Sequence, residues 1–142
     1  MFAPVTDLVW RGPRPQGSTD FASVRASFKS VVSLEGMAED QKEMVELAPV
    51  PVISCPIVFS EIYFTGITES RLNAILGEIA AAPKPVLVHC QHGEDRTGLI
   101  IAAYRVRVCL WTKDAAMKEA LAYGYRNWLN FGINKTWANF TE

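Results

Sequence analysis

Ten consecutive residues, His89-Cys90-Gln91-His92-Gly93-Glu94-Asp95-Arg96-Thr97-Gly98, constrain this chain more than any other stretch. They lie between the apolar runs Pro85-Val86-Leu87-Val88 and Leu99-Ile100-Ile101-Ala102-Ala103. The first run is short and apolar without alternation, as expected of a strand covered on both faces. The second opens a stretch over 97–110 that is apolar nearly all round, which predicts a central, buried helix. Strand, tight loop and helix in direct succession belong to an α/β sheet. The loop then sits at the carboxyl end of a strand, where open α/β sheets place their sites.

The rest of the chain repeats that alternation. Residues 7–10, 31–34 and 52–58 read as strands, and Pro56 inside the last suggests an edge or a bulge. Ser18 or Thr19 can cap a helix reaching about residue 28, and residues 39–47 have helical character, with Met44 and Val45 on the apolar side. Thr68 can cap a helix whose Leu72, Ile75, Leu76 and Ile79 form one stripe. Thr112 can cap another over 113–123, stopped by Gly124, and residues 125–140 read as a helical cover carrying Trp128, Leu129, Phe131 and Trp137. Residues 11–17 and 59–66 read as loops, the first rigid with proline and the second rich in aromatics. The expected fold is one α/β domain over residues 1–142, a central, mostly parallel sheet flanked by helices.

Composition removes several classes of function. The net charge is −1, so no global basic field invites nucleic acid. There is no apolar run of transmembrane length, and the first residues lack the basic and apolar regions of a secretory signal, so the expected compartment is the cytoplasm. The three cysteines match no zinc spacing, and no metal or other cofactor is expected. Cys55 and Cys109 sit in apolar runs and read as core residues.

Cys90 is different because of its neighbours. A helix N-terminus and an adjacent guanidinium both favour a thiolate, and Arg96 with the opening of the next helix offers both. The intervening Gln91, His92, Gly93, Glu94 and Asp95 can curl so that their amides converge on an anion, with Gly93 permitting the curl. Arg96 closes the ring and can grip two phosphate oxygens in its planar fork. Thr97 is placed to donate to the sulfur when it leaves, and His89 to brace the loop. Arg11 and Arg14, in the first loop, are candidates for additional substrate contacts.

These residues resemble the signature of the cysteine-dependent tyrosine phosphatase superfamily, His-Cys-(five residues)-Arg-Ser/Thr. A finer likeness, over roughly residues 7–125, is to small atypical dual-specificity phosphatases and tyrosine-phosphatase-like phytases. It is carried by Trp10-Arg11-Gly12-Pro13-Arg14-Pro15, a Ser-capped helix, Val31-Val32-Ser33-Leu34-Glu35 and Ala103-Tyr104-Arg105. The resemblance implies a tyrosine-phosphatase-like sandwich and a metal-free, two-step reaction through a cysteinyl-phosphate. It also implies a general acid, usually an Asp on a loop before the signature. The loop over 59–66 holds no Asp, and Glu61 is its only acid. Asp95 is the other candidate and the favoured one, resembling the myotubularin lipid phosphatases, whose proton donor holds this place. The expected substrate is an inositol phosphate or similar small phosphomonoester, with a phosphotyrosine or other phosphoprotein as the alternative. The pair Glu94-Asp95 is awkward for a highly charged substrate. A catalytically dead phosphate-binding module, and an arsenate reductase or rhodanese-like enzyme, are the competing readings. Cys55 is the one plausible resolving partner for Cys90.

Overall fold

The structure is a computed structural model, and it describes residues 2–141. Five strands form one sheet in the order β1-β2-β5-β3-β4. They are β1 (Ala3–Pro4), β2 (Val9–Gly12), β3 (Ser30–Ser33), β4 (Val52–Ser54) and β5 (Val86–His89). β1 pairs antiparallel to β2, and all other pairings are parallel. β5 is therefore the central strand, which explains the apolar run Val86-Leu87-Val88. Leu87 packs with Val31, Val24 and Phe28 on one face, whereas Val86 and Val88 join Val9, Val32 and Leu34 on the other. The helices are α1 (Gly17–Ser27), α2 (Met37–Leu47), α3 (Glu69–Ala81), α4 (Arg96–Arg107), α5 (Lys113–Ala122) and α6 (Phe131–Asn139). α1 and α2 cover the Leu87 face, and α3 to α6 cover the other.

Register decides where chemistry can occur. Gly12, His89 and Ser33 lie side by side at the carboxyl ends of β2, β5 and β3. The segments that follow these three strands thus emerge together at one edge of the sheet, with the Cys90 loop in the middle.

Local signals hold at some element ends and fail at others. Thr68 and Thr112 cap α3 and α5, accepting from the amides of Arg71 and Ala115 at 3.2 Å. β4 lies at the sheet edge but ends at Ser54, ahead of Pro56. α1 begins at Gly17 without a hydroxyl cap, and Asp20 accepts instead from the Gln16 amide at 2.9 Å. α4 stops at Arg107, and Leu110 is exposed at a positive φ of 61°. Cys109, beyond the end of α4, is only half-buried, as is Cys55. The tail is less helical than expected, with irregular chain at 125–126 and a turn over 127–129 before α6 begins.

Two regions overturn the pattern reading. α2 turns Asp40, Glu43 and Leu47 inward and leaves Val45 77% exposed, the reverse of the expected apolar side. The buried acids are satisfied by distant partners: Asp40 accepts from Ser33 Oγ at 2.5 Å and from Ser54 Oγ. The expected loop over 59–66 contains a π-helical turn, Glu61–Thr65. That turn packs directly on α6, where a Cβ on Gly132 would collide with the Glu61 carbonyl. A Cβ on Gly66, at φ +71°, would collide equally with the Gly132 carbonyl and the Thr136 hydroxyl. Thr136 Oγ1 also accepts from the Ile67 amide at 2.9 Å, closing the joint.

Candidate active site

Cys90 follows β5 directly and is 3% exposed. Between it and α4 the chain turns through Gly93 at φ +75°. Two carbonyls of this loop are held from outside by β2 and the segment that follows it. The Arg14 amide donates to the Gln91 carbonyl at 3.1 Å, and Arg11 Nη2 donates to the Gly93 carbonyl at 3.1 Å. In a trans peptide the C=O and the following N–H point in opposite directions. Tying those carbonyls outward therefore turns the His92 and Glu94 amides inward, which is how a nest for an anion is made. α4 then starts at Arg96 with no side-chain cap on its N-terminus. The positive end of a buried helix is thus directed at the loop.

Arg96 Nη1 lies 3.3 Å from both the Leu34 and Ile57 carbonyls, which aim the guanidinium from beneath the strand ends. Thr97 is fully buried, and its hydroxyl has no hydrogen-bond partner among the described residues. His89 is fully buried as well. Its Nε2 pairs with Glu43 Oε1 at 2.8 Å, and its Nδ1 lies 3.2 Å from the Cys90 carbonyl and 3.6 Å from Glu35 Oε2. Glu35 in turn receives Arg14, with Nε at 3.0 Å from Oε2 and Nη2 at 2.5 Å from Oε1. Arg14, His89, Glu35 and Glu43 thus form one polar network behind the nucleophile, tying α2 and the first loop to β5. Glu35, Glu43 and His89 are close enough for a metal-ligand set, but each already has a protein partner.

A cleft of about 270 Å³ opens on this loop, lined by Ile62, Tyr63, Cys90, Gln91, His92, Asp95, Arg96 and Arg126. Asp95 is in the cleft, as the favoured proton donor must be. It accepts from the Arg126 backbone amide and from Arg126 Nε, both at 3.1 Å, and forms an ion pair with Arg126 Nη2. That hydrogen-bonded pairing raises the Arg126 pKa. Glu61 faces elsewhere. It accepts from the Val58 amide at 2.9 Å and forms an ion pair with Arg71. Glu94 is also outside the cleft wall, its carboxylate resting against Gly124. Of the two adjacent acids, only Asp95 lines the cleft, and its charge is matched by Arg126.

Arg11 and Arg14, the candidates for additional substrate contacts, do not line the cleft. Arg14 is held by Glu35, whose hydrogen bonds raise the Arg14 pKa. Arg11 is 2% exposed, beneath the loop, with its guanidinium 4.1 Å from the Tyr123 ring centroid. The pairing of Cys55 with Cys90 also fails on geometry. Cys55 continues β4 and Cys90 continues β5, at the same register, with β3 between them. Two strand spacings amount to about 9.5 Å, beyond the roughly 7 Å limit for bridging Cα atoms.

Sequence reasoning missed Ile62, Tyr63, Arg126, Glu35 and Glu43. Tyr63 had a signal in its aromatic-rich loop. Arg126 had none, because its partner Asp95 is 31 residues away.

Known proteins share this arrangement. The profile of the tyrosine phosphatase family matches residues 22–119. The dual specificity protein phosphatase TpbA of Pseudomonas aeruginosa strain UCBPP-PA14 is 32% identical over 123 residues, covering 85% of this chain and 53% of that protein. The chain therefore spans about half the length of the curated relatives it matches. A crystal structure of P. aeruginosa TpbA superposes with a TM-score of 0.81 at 26% identity, covering 99% of this chain and 84% of that one. A TpbA variant in complex with pTyr superposes at 0.68 with 28% identity, covering 98% and 91%. The catalytic core of the S. cerevisiae PP-IP phosphatase SIW14 shares the fold, with a TM-score of 0.77 at 19% identity, covering 99% and 85%. From the signature loop, the family match and these relatives together, the chain belongs to the tyrosine phosphatase family.

Proposed function

We propose that this domain hydrolyses aryl phosphomonoesters of the phosphotyrosine type through a cysteinyl-phosphate. The observation that carries the reading is the composition of the cleft: Cys90 and Arg96 share it with Ile62 and Tyr63, and its additional arginine, Arg126, is already matched by Asp95. A flat ring bearing one phosphate suits an apolar and aromatic wall. The pTyr complex of a TpbA variant supports the same choice.

In the first step the Cys90 sulfur attacks phosphorus, the P–S bond forms and the P–O ester bond breaks. The departing oxygen takes a proton from Asp95, while the nest amides and the Arg96 fork hold the three equatorial oxygens. In the second step water attacks phosphorus and gives its proton to Asp95. The P–S bond breaks, and the unpartnered Thr97 hydroxyl donates to the departing sulfur. For Asp95 to carry the proton it must give up Arg126, and the incoming phosphate dianion is the natural recipient of that guanidinium. No metal or other cofactor enters either step.

An inositol polyphosphate is the second reading, and Arg126 is the feature that favours it, as a holder for a second phosphate. It fits less well because Arg14 is held by Glu35 and Arg11 is buried. A phosphate-release panel with phosphotyrosine peptides, inositol hexakisphosphate, phosphoinositides and small aryl phosphates tests the assignment. The expected kcat/KM favours phosphotyrosine by at least about tenfold, corresponding to roughly 1.4 kcal/mol in the transition state. A reversed preference overturns the aryl assignment, and release that survives Cys90→Ser overturns the mechanism.

A further inference from the structure

Arg11 presents a physical problem that the site described so far leaves unsolved. A guanidinium is costly to bury unless it is paired. Arg11 is 2% exposed, its one hydrogen bond is to the Gly93 carbonyl, and Nε and Nη1 have no partner among the described residues. No carboxylate forms a salt bridge with it among the described residues. Its surroundings are the Tyr123 ring, Glu119 of α5, Arg105 of α4, and Cys90 itself. Burial lowers its pKa from the usual arginine value, and nearby Glu119 only partly offsets this. The fold therefore holds a buried, incompletely matched cation under the loop that must receive a dianion.

We propose that Arg11 is a positioning residue for the phosphate loop. It fixes the Gly93–Glu94 peptide with its N–H turned toward the bound oxyanion, and it supplies positive potential from below that is balanced when phosphate arrives. Three observations converge on this. The donor that reaches the loop is charged, and charged hydrogen bonds are the stronger ones. The carbonyl it holds belongs to Gly93, the residue whose positive φ makes the turn. The Tyr123 ring confines the guanidinium from the other side, so the fork is oriented before any ligand binds. Arg11 is thereby assigned to the scaffold of the site and not to its wall.

The inference rests on the reading of the cleft as a phosphate site, and the test separates the two. Inorganic phosphate is titrated calorimetrically into Cys90→Ser, and into the same protein carrying Arg11→Met, Arg11→Lys or Tyr123→Leu. Thermal midpoints are recorded alongside, and kcat and KM on p-nitrophenyl phosphate are measured with Cys90 intact. Arg11→Met is expected to weaken phosphate at least about tenfold and to lower kcat more than it raises KM. Arg11→Lys, which keeps the charge, regains a good part of the affinity. Tyr123→Leu, at a partly exposed position, weakens phosphate about threefold. If Arg11→Met does not fold, the lysine and Tyr123 variants decide. Folded variants that all bind phosphate within about twofold of the parent overturn the role of Arg11, whatever their thermal midpoints. A Cys90→Ser parent that binds no phosphate at millimolar concentration overturns the phosphate site itself.

Discussion

Gly93→Ala is the sharpest single test of how the loop is built. Gly93 adopts φ +75°, and an ideal Cβ there would lie 2.5 Å from Gly12 C, 2.7 Å from Gly12 O and 2.8 Å from Pro13 N. All three atoms are backbone, so no side chain can swing aside. Ordinary contact begins near 3.4 Å, so loop and strand end must part by about 0.6–0.9 Å. The left-handed backbone costs a non-glycine residue roughly 1–2 kcal/mol, and overpacking of this kind roughly 1–3 kcal/mol. A total of about 2–5 kcal/mol lowers the thermal midpoint by roughly 6–15 °C in a chain of this size. The larger effect falls on chemistry, because a displacement near 1 Å at a reacting centre costs about a hundredfold in rate. Circular dichroism melting and steady-state kinetics on p-nitrophenyl phosphate read both quantities. Gly124→Ala is the control. Its φ of +99° carries similar backbone strain, but the Cβ would meet the Glu94 carboxylate, which can move away. Gly124→Ala should therefore lose stability with little loss of kcat. A Gly93→Ala protein that keeps kcat within about threefold and melts within about 2 °C of the parent would refute this close packing of loop on strand end.

The proton donor and the second cysteine give further outcomes. Asp95→Asn should lower kcat by roughly 10²–10⁴ on an ester with a poor leaving group, and much less on an activated aryl phosphate. Glu61→Gln should change kcat by less than about threefold on either, and the opposite ranking would move the acid to the π-helical turn. Burial pushes the Cys55 thiol up to about 11, with Glu78 and Asp40 adding to the shift. Its reactive anion is therefore scarce at neutral pH and grows about tenfold per pH unit until that value is approached. Iodoacetamide at pH 8, read by peptide mass spectrometry, should modify Cys55 about two hundredfold more slowly than an unstructured cysteine. Modification at the unstructured rate would contradict this burial, and a Cys55–Cys90 disulfide in peroxide-treated protein would contradict the strand spacing.

The parts of the molecule that were legible in the sequence are those encoded within a few residues. The run from Val86 to Gly98 specified strand, loop and helix because each element declared itself by local composition. The caps at Thr68 and Thr112 were readable because a cap is a bond over three residues. What could not be read are bonds that close over long separations. His89 meets Glu43 across 46 positions, and Asp95 meets Arg126 across 31. The inward face of α2 misled for the same reason. Asp40 and Glu43 belong inside only because Ser33, Ser54 and His89 wait there, and an acid on a helix otherwise reads as solvated. Arg11 and Arg14 read as substrate contacts, whereas pairing of β2 with β5 sets Arg11 beneath the loop and the bond from the Arg14 amide to the Gln91 carbonyl sets Arg14 beside it.

The joint between the π-helical turn and α6 has a mechanical consequence. Because Gly66 and Gly132 let two backbones touch with no side chain between them, the wall that carries Ile62 and Tyr63 has no cushion against the C-terminal helix. A tilt of α6 is transmitted to the substrate mouth nearly undamped, as in a lever without a spring. Substitutions near Gly132 and Thr136, some forty residues downstream of Cys90, should thus retune which substrates enter while leaving the phosphate cradle unchanged.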